Sequence, residues 1–172
     1  MMTMYPTIRV KRVNPDADIP QYAYTGDAGV DLQVMEDVTL YPGETVTVGC
    51  GLAFAIPRGW VGLIVPRSSM GCRGLELKNT VGVIDSGYRD EVRLPLYNNN
   101  PTHATRHVKV REGVEEARVV PNHQGSVSVS KGERVAQMLF VRVGEATIVE
   151  ADALDETERG TNGFGSSGSG RL

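Results

Sequence analysis

The chain consists largely of short runs of β-branched and apolar residues that are separated by Gly, Pro and Asn, with little helical periodicity. The strand-like runs are residues 7–13, 46–56, 60–65, 90–97, 125–130, 134–143 and 147–150. Because the run at 46–56 stops at Pro57-Arg58-Gly59, a turn signal, it predicts a hairpin with the run at 60–65. Residues 68–73 predict a helical turn. Short strands at close spacing indicate an all-β domain, a sandwich or barrel such as a jelly roll.

Charge and composition exclude several functional classes. The 172 residues are 40% hydrophobic and 23% charged, which fits one domain with an ordinary core. A net charge of −3 argues against a general binder of nucleic acid or of membrane surfaces, and no apolar run approaches the roughly 20 residues that span a bilayer. Cys50 and Cys72 form no CxxC pair, which excludes a disulfide framework and a zinc ribbon. Since residues 1–13 also lack the order of a signal peptide, we expect a cytoplasmic protein.

Two segments depart from the strand pattern. Residues 101–124 hold all three histidines, and valines on both sides of Glu112-Gly113 predict an added hairpin or a long ordered loop. His103 and His107 have the i,i+4 spacing of metal ligands, but without a fourth ligand solvated histidines are the better interpretation. Residues 159–172 are rich in Gly and Ser and predict a flexible C-terminal arm. We therefore divide the chain into a single β domain at 1–158, with an insertion at 101–124, and an arm at 159–172.

Several short motifs carry side chains suited to chemistry, and each also has a structural interpretation. The serines of Pro66-Arg67-Ser68-Ser69 could cap the helical turn or, with Arg73 close behind, bind an anion. Asp85 could close an Asx-turn or act as a general base for water. Asn79 offers the donor and the acceptor that reading a pyrimidine edge requires. Asp31 could be a turn residue or could accept hydrogen bonds from metal-bound water.

The arm contains Gly163-Phe164-Gly165-Ser166-Ser167-Gly168, which matches the pattern GxGxxG. Because only four residues follow, the helix that a dinucleotide site needs is missing. Hydroxyls, backbone N–H groups and Arg159 could instead wrap phosphates, with Phe164 stacking on a base. The alternative interpretation is a mobile tail.

In their order along the chain, these motifs resemble the five motifs of the trimeric dUTP pyrophosphatase (dUTPase) family. The matching segments are AGVDL, PRSS, NTVGVIDSGY, GERVAQ and RGTNGFGSSG, and the resemblance runs from about Thr7 to Gly168. It implies a jelly-roll (β-clip-like) homotrimer with three active sites built across subunit boundaries. The implied reaction is Mg²⁺-dependent hydrolysis of dUTP to dUMP and pyrophosphate, which keeps uracil out of DNA and supplies dUMP for dTMP synthesis.

The resemblance also implies a role for each motif. Asp85 is expected to activate water for attack on the α-phosphorus, and Asp31 to hold waters on the Mg²⁺. Tyr88 is expected to pack beneath the deoxyribose, and Phe164 to cover the uracil. The residues implied in substrate binding are Arg67, Ser68, Ser69, Asn79, Gly82, Val83, Ile84, Tyr88, Arg93, Gln137, Arg159, Phe164, Gly165, Ser166 and Ser167.

Three residues depart from the family pattern. Asp90 and Asn162 stand where glycine is usual, and Arg73 where lysine is usual. Asp and Asn tolerate left-handed backbone better than most residues, so we expect both turns to survive. Asp90 also adds negative charge near a triphosphate site, which would weaken binding. None of the three removes a group that the reaction needs.

Two alternatives from other classes remain open. dCTP deaminases resemble dUTPases in the second motif, but they need a glutamate on the strand after the third, and residues 92–97 carry no carboxylate. The insertion at 101–124 is either a recognition element for a regulatory protein, as an extra segment is in some virus-encoded relatives, or a tolerated surface loop. The expected ligand is dUTP, with no membrane and no direct nucleic-acid binding.

Overall fold

The structure, a computed structural model, describes residues 5–101, 105–111, 114–120 and 125–162, and it is nearly all β. The strands are β1 (Arg9–Arg12), β2 (Gly29–Gln33), β3 (Val38–Leu40), β4 (Thr45–Gly49), β5 (Leu52–Ala55), β6 (Trp60–Pro66), β7 (Leu75–Leu77), β8 (Gly82–Ile84), β9 (Arg93–Asn98), β10 (Thr105–Arg111), β11 (Val114–Val120), β12 (Val127–Val129) and β13 (Arg134–Arg142). Helix α1 (Ser68–Gly71) is a single turn. The predictions of an all-β chain and of a helical turn at 68–73 are confirmed.

Two antiparallel sheets enclose one core, in the manner of a jelly roll. The larger sheet has the order β2-β13-β6-β8 and the smaller one β4-β9-β7. Strands β1 and β5, β3 and β12, and β10 and β11 form three further pairs. A single cluster of buried side chains joins Ile64 and Met138 of the larger sheet to Val48 and Leu94 of the smaller one. Because these buried residues alternate with outward ones along each strand, both sheets have one core face and one outer face.

Three of the predicted site residues, Asp31, Val83 and Gln137, lie on the outer face of the larger sheet. Val30 and Ile64 point into the core, so their neighbours Asp31 and Leu63 belong to the opposite face. Val83 on β8 lies opposite Leu63 and is 60% exposed. This outer face therefore combines polar residues at one end with an exposed apolar surface at the other.

The predicted hairpin between 46–56 and 60–65 is wrong, because the first run divides into two strands. Gly51 interrupts it with a φ of +73°, and its carbonyl oxygen accepts hydrogen bonds from the N–H groups of Val13 and Asn14. A Cβ on Gly51 would lie 2.8 Å from the Cβ of Ala17, so glycine is required there. After this break β5 pairs with β1, whereas β6 pairs with β13 and β8.

The strand predicted at 147–150 does not form. Ile148 is 93% exposed and Val149 is 76% exposed, and neither residue pairs with a strand. A strand requires a partner for its backbone hydrogen bonds, and the described part of the single chain offers none at this place.

The insertion forms the predicted hairpin. Strands β10 and β11 pair from Thr105 with Val120 to Arg111 with Val114, and they pair with no other described strand. Two asparagine amides fix its base: Asn98 Nδ2 donates to the Gly125 carbonyl oxygen at 2.8 Å, and Asn100 Nδ2 donates to the same oxygen at 3.1 Å. His103 and His123 lie outside the described residues.

Both cysteines are free thiols. Cys50 is buried and Cys72 is exposed. Burial raises the pKa of the Cys50 thiol to about 12, which keeps it neutral and unreactive. Within the described residues, no helix has the length and the hydropathy to cross a bilayer.

Candidate active site

Polar residues from three motifs meet on the outer face of the larger sheet. Asp31 on β2 pairs in register with Gln137 on β13, which in turn pairs with Val65 on β6. Arg67 follows β6 directly, and its Nε lies 3.0 Å from Asp31 Oδ1. The structure thus brings residues of the first, second and fourth predicted motifs together within one chain, and we call these three polar residues, Asp31, Arg67 and Gln137, the phosphate cluster.

Arg134 is a second cation at the phosphate cluster, and the sequence analysis missed it. Its Nη1 lies 3.3 Å from Asp31 Oδ2, and its side chain is 61% exposed. Two guanidinium groups on one carboxylate leave net positive charge, which suits a phosphate chain. The register of β13 shifts between Arg134 and Ala136, a β-bulge, so strand alternation alone cannot predict the direction of Arg134.

Ser68 and Ser69 lie in the turn of α1, and both are exposed. The N-cap position is Arg67, and no side-chain hydrogen bond caps the turn, so the capping interpretation of the serines is wrong. Met70 is buried and anchors the turn, while the Arg67 N–H donates to the Val135 carbonyl oxygen at 3.1 Å. The two hydroxyls are therefore held next to Arg67 without serving as caps.

The Arg73 side chain makes contacts that stabilise the fold, and it is not part of the phosphate cluster. Its guanidinium pairs with Glu133 and donates to the Ser128 carbonyl oxygen. Its own carbonyl oxygen accepts a hydrogen bond from Asn100 Nδ2 at 2.9 Å. The charge that we expected Arg73 to add to an anion site is therefore matched by Glu133.

The third motif begins at the corner between β7 and β8, where Asn79 folds back on Gly82. Its Nδ2 lies 3.5 Å from the place that a Cβ on Gly82 would occupy, and the Cβ of Ile64 lies 3.2 Å from it on the other side. Gly82 is buried, and a Cβ there would be tightly packed against Ile64. As a result, the amide of Asn79 lies close to Gly82.

Asp85 follows β8 and is exposed. The Tyr88 N–H donates to the Asp85 carbonyl oxygen at 3.1 Å, so the turn is closed by the backbone of Asp85 and not by its carboxylate. The Tyr88 hydroxyl donates to the Glu91 carbonyl oxygen at 2.9 Å. These bonds leave the Asp85 carboxylate available at the surface.

Glu91 connects this loop to the turn between β4 and β5, and the sequence analysis missed it. Glu91 Oε1 accepts a hydrogen bond from the Gly51 N–H at 2.8 Å, and Oε2 lies 4.0 Å from Arg93 Nη2. A Cβ on Gly49 would collide with the Glu91 carboxylate. Because Gly51 is 40 residues away in sequence, no local pattern predicts this contact.

Asp90 does not need the left-handed backbone that its replacement of glycine suggested. Among the described residues, Thr80 is the one non-glycine residue with a positive φ. The Asp90 carboxylate instead accepts a hydrogen bond from the Glu91 N–H at 2.7 Å. The turn thus survives, but for a different reason than the one expected.

The described part of the arm ends at Asn162, and Phe164, Gly165, Ser166 and Ser167 lie outside the described residues. Arg159 Nε donates to the Asn162 carbonyl oxygen at 3.2 Å, and the Asn162 N–H donates back to the Arg159 carbonyl oxygen at 3.1 Å. The backbone of Asn162 has no positive φ either.

A cavity of about 460 Å³ opens beside Asp85 on the outer face. It is lined by Gly59, Trp60, Val61, Leu63, Val83, Asp85, Ser86, Val141, Val143 and Glu145. Most of these side chains are apolar, and Val141 and Val143 remain 38% and 43% exposed. Exposed apolar side chains thus surround the cavity beside Asp85.

One chain does not bring Asp85 to the phosphate cluster. Strand β2, with Asp31, lies at one edge of the larger sheet, and β8, which Asp85 follows, lies at the other. Asp31 shares a row with Val65, whereas Asp85 lies one position beyond the pair of Ile84 and Gly62. With ~4.8 Å between strands and ~3.3 Å per residue, the Cα positions of Asp31 and Asp85 are roughly 20 Å apart.

The chain matches known proteins along nearly its whole length. The dUTPase family model matches residues 15–120 and 113–168. The deoxyuridine 5'-triphosphate nucleotidohydrolases of Thermobifida fusca and Nocardia farcinica are each 40% identical to it, over 96% and 97% of this chain and 82% and 88% of theirs. The solved dUTPase of Staphylococcus bacteriophage 80alpha with dUPNHPP is 29% identical, with a TM-score of 0.79 over 94% of this chain and 98% of that one.

The phage protein is described as controlling the transfer of virulence genes by a proto-oncogenic G protein-like mechanism. Its likeness to this chain extends over both sheets, since 94% of this chain is covered. Because the family model and the curated relatives cover nearly the whole sequence, the chain belongs to the dUTPase family, and it hydrolyses dUTP.

Proposed function

We propose that this dUTPase works as a homotrimer in which each active site combines Asp85 of one subunit with the phosphate cluster of another. The observation that carries the proposal is the strand order, which places Asp31 on one edge strand of the larger sheet and Asp85 just after the other, with their Cα positions roughly 20 Å apart. A general base must lie within hydrogen-bond reach of the water that it activates, so a second chain has to supply one of the two groups. The exposed apolar face with Val83 and Val141 provides a surface for that contact.

In this proposal the Asp85 carboxylate is the general base. It takes a proton from a water molecule whose oxygen forms a bond to the α-phosphorus of dUTP. The bond between that phosphorus and the α–β bridging oxygen breaks, pyrophosphate leaves with the bridging oxygen, and dUMP keeps the oxygen of the water. This step needs one carboxylate and no protein nucleophile.

The phosphate cluster holds the triphosphate. Arg67 and Gln137 donate to phosphate oxygens, together with the hydroxyls of Ser68 and Ser69, which are exposed beside Arg67. Arg134 orients Asp31 through their ion pair and adds a second positive charge. Arg93 is a further contact on the substrate side, oriented by Glu91.

Mg²⁺ fits this site as an ion that the substrate carries. Within the described residues, no three His, Cys, Asp or Glu side chains converge on a metal position. Asp31 is the acidic residue of the phosphate cluster, and a single carboxylate suits a contact to metal-bound waters, which Mg²⁺ retains in most proteins. When bound, the ion would neutralise charge on the triphosphate.

Substrate choice is assigned to the third motif. In this proposal the Asn79 amide, close to Gly82, and the backbone of Gly82, Val83 and Ile84 bind the donors and acceptors of uracil and exclude the methyl group of thymine by shape. The ring of Tyr88, fixed through its hydroxyl, packs beneath the deoxyribose and excludes a 2′-hydroxyl.

The arm at 159–172 is assigned to closure of the loaded site. Phe164 and Gly165 cover the uracil, while Arg159, Ser166 and Ser167 bind the terminal phosphates. Ordering of a Gly- and Ser-rich segment by substrate excludes bulk water during the reaction.

Complementation between two inactive variants tests the composite site. Asp85→Asn and Arg67→Ala proteins, each inactive alone, are co-expressed with different tags, and mixed trimers are isolated. Because every mixed trimer then contains one site with both groups intact, we expect about one third of the wild-type rate of pyrophosphate release. If mixed trimers stay as inactive as their parents, Asp85 and Arg67 act within one chain and the proposal is wrong.

A second function is proposed for the insertion, as a recognition element for a regulatory protein. In its favour, β10 and β11 pair with no other described strand, and the hairpin is fixed at its base. The phage relative with a described control function supplies a precedent. Replacement of residues 102–124 by a short Gly-Ser linker should keep dUTP hydrolysis and abolish binding of a protein that the full chain captures. Retention of every captured protein would leave the insertion as a tolerated loop.

A further inference from the structure

We infer that Thr80 is a specificity-determining residue, which holds the base-reading edge of the third motif in place through a strained turn. The inference rests on the proposed function of Asn79 and Gly82 in reading uracil. It adds a residue that does not itself present a hydrogen-bonding group to the base.

The strain is visible in the backbone of Thr80. Its φ is +63°, and it is the one non-glycine residue with a positive φ in the described part of the chain. The Val81 N–H donates to the Asn79 carbonyl oxygen at 2.6 Å, which closes a γ-turn with Thr80 at its centre. A β-branched residue is a particularly unfavourable occupant of this conformation, because its side chain crowds the backbone.

The surroundings of the turn fix it from both sides. The chain crosses here from β7 of the smaller sheet to β8 of the larger one within residues 78–81. Before the turn, the Lys78 N–H donates to the Pro95 carbonyl oxygen at 2.8 Å, and Lys78 Nζ lies 3.7 Å from the centre of the Tyr97 ring. After the turn, Gly82 is buried against Ile64. The strain is therefore concentrated at the residue between Asn79 and Val81.

The turn also sets the position of the Asn79 amide relative to Gly82. With the γ-turn closed, Nδ2 of Asn79 lies 3.5 Å from the place that a Cβ on Gly82 would occupy, so the turn keeps the Asn79 amide close to Gly82. A threonine restricts the backbone to few conformations, whereas a glycine would reach the same φ freely and many others as well. Preorganisation of the edge is a reason to keep a strained threonine where glycine would fold more easily.

Replacement of Thr80 by glycine separates this role from a purely structural one. Thr80→Gly relieves the strain, so we expect a higher Tm. We also expect KM for dUTP to rise, kcat to change less than about twofold, and the preference in kcat/KM for dUTP over dTTP and dCTP to fall on the order of tenfold. Thr80→Val keeps the β-branch without the hydroxyl and should retain the wild-type preference for dUTP.

Thr47→Gly is the matched control, since Thr47 is an exposed threonine in β4 with ordinary strand backbone. Here glycine should lower Tm and leave substrate preference unchanged. If Thr80→Gly raises Tm but keeps the wild-type preference, the turn only joins the two sheets and the inference is wrong. A Tm that falls in Thr80→Gly would contradict the strain itself.

Asn79→Ala distinguishes failure of the inference from failure of the proposed function. If Asn79→Ala keeps the full preference for dUTP, the base is read elsewhere and the proposed function of this edge is wrong. If Asn79→Ala loses the preference while Thr80→Gly retains it, the edge reads uracil without help from Thr80, and the inference alone is overturned.

Discussion

The carboxylate of Glu91 accepts a hydrogen bond from the Gly51 N–H at 2.8 Å, and this contact joins the Asp85 loop to the body of the fold. The Glu91 carbonyl oxygen holds the Tyr88 hydroxyl, and the Tyr88 N–H closes the turn at Asp85. Glu91 thus anchors the loop through its side chain, which is 18% exposed, and holds Tyr88 through its backbone carbonyl oxygen.

Glu91→Ala should therefore affect both stability and substrate binding. It leaves the N–H of Gly51, a buried residue, without its acceptor, which costs about 1–3 kcal/mol of unfolding free energy. With the loop released, KM for dUTP should rise several-fold. Glu91→Gln keeps an acceptor oxygen and should recover most of both losses. Denaturant unfolding and steady-state kinetics measure the two effects.

Glu44→Ala is the control for Glu91, because Glu44 Oε2 accepts a hydrogen bond from the Tyr41 N–H at 2.8 Å in an exposed turn. Loss of the Glu44 carboxylate should change KM for dUTP by less than twofold. Equal kinetic effects of the two alanine variants would contradict a special role of Glu91.

Arg67 and Arg73 should respond in opposite ways to alanine substitution. Arg73 pairs with Glu133 and binds the Ser128 carbonyl oxygen, so Arg73→Ala should lower Tm with little change in KM. Arg67→Ala should reduce kcat/KM on the order of a hundredfold or more, because a charge-assisted contact to phosphate is lost, with a small change in Tm. A large kinetic defect in Arg73→Ala would place that residue in the site after all.

Asn98→Ala should be among the most destabilising single changes in the chain. The Asn98 side chain is fully buried and donates to the carbonyl oxygens of Leu40 and Gly125 at 2.9 and 2.8 Å. Loss of the amide removes the donor to the Leu40 carbonyl oxygen and leaves the Gly125 carbonyl oxygen with Asn100 Nδ2 alone, for an expected cost of about 1–3 kcal/mol in chemical denaturation. Asn99→Ala, at an exposed neighbour, provides the comparison, and it should cost under about 1 kcal/mol.

Because the Cys50 thiol is buried, we expect the free energy of unfolding to fall at alkaline pH. Burial raises its thiol pKa from 9.0 to about 12, so between these values the unfolded chain releases a proton that the folded chain keeps. Unfolding free energy should therefore fall as pH rises above about 9, by up to ~1.4 kcal/mol per pH unit for this one group. Urea unfolding from pH 8 to pH 10.5 should show a shallower decline for Cys50→Ala. Parallel declines in the two proteins would contradict the assignment.

The sequence was sufficient for the fold class, because that class depends on short contiguous patterns, and the resemblance of short motifs to the dUTPase family was sufficient to name the three residues that the structure brings together in the phosphate cluster. The motif around Asp31 lies within strand β2 and the motif around Gln137 within strand β13, and the alternation of side chains along each strand directs both outward. The turn at Ser68 could be predicted from its proline and serines for the same reason.

Contacts between distant parts of the chain could not be predicted. Glu91 accepts a hydrogen bond from the Gly51 N–H, and Arg134 pairs with Asp31 at a β-bulge. Both contacts join residues that come together only when the sheets have assembled. The sequence analysis did not predict that residues 46–56 divide into two strands at Gly51, because an apolar run that contains one glycine is equally consistent with a single strand. The unpaired run at 147–150 has strand-like residues but no partner in the described chain.

The two asparagines that share the Gly125 carbonyl oxygen have a consequence for how this chain can change over time. The hairpin departs from the sheet and returns to it at nearly one point, so its length is independent of the register of β9 and β12. We expect lineages to lengthen, shorten or replace this segment freely, and laboratories to graft a peptide tag or a fluorescent reporter there, while the enzyme beneath it stays the same.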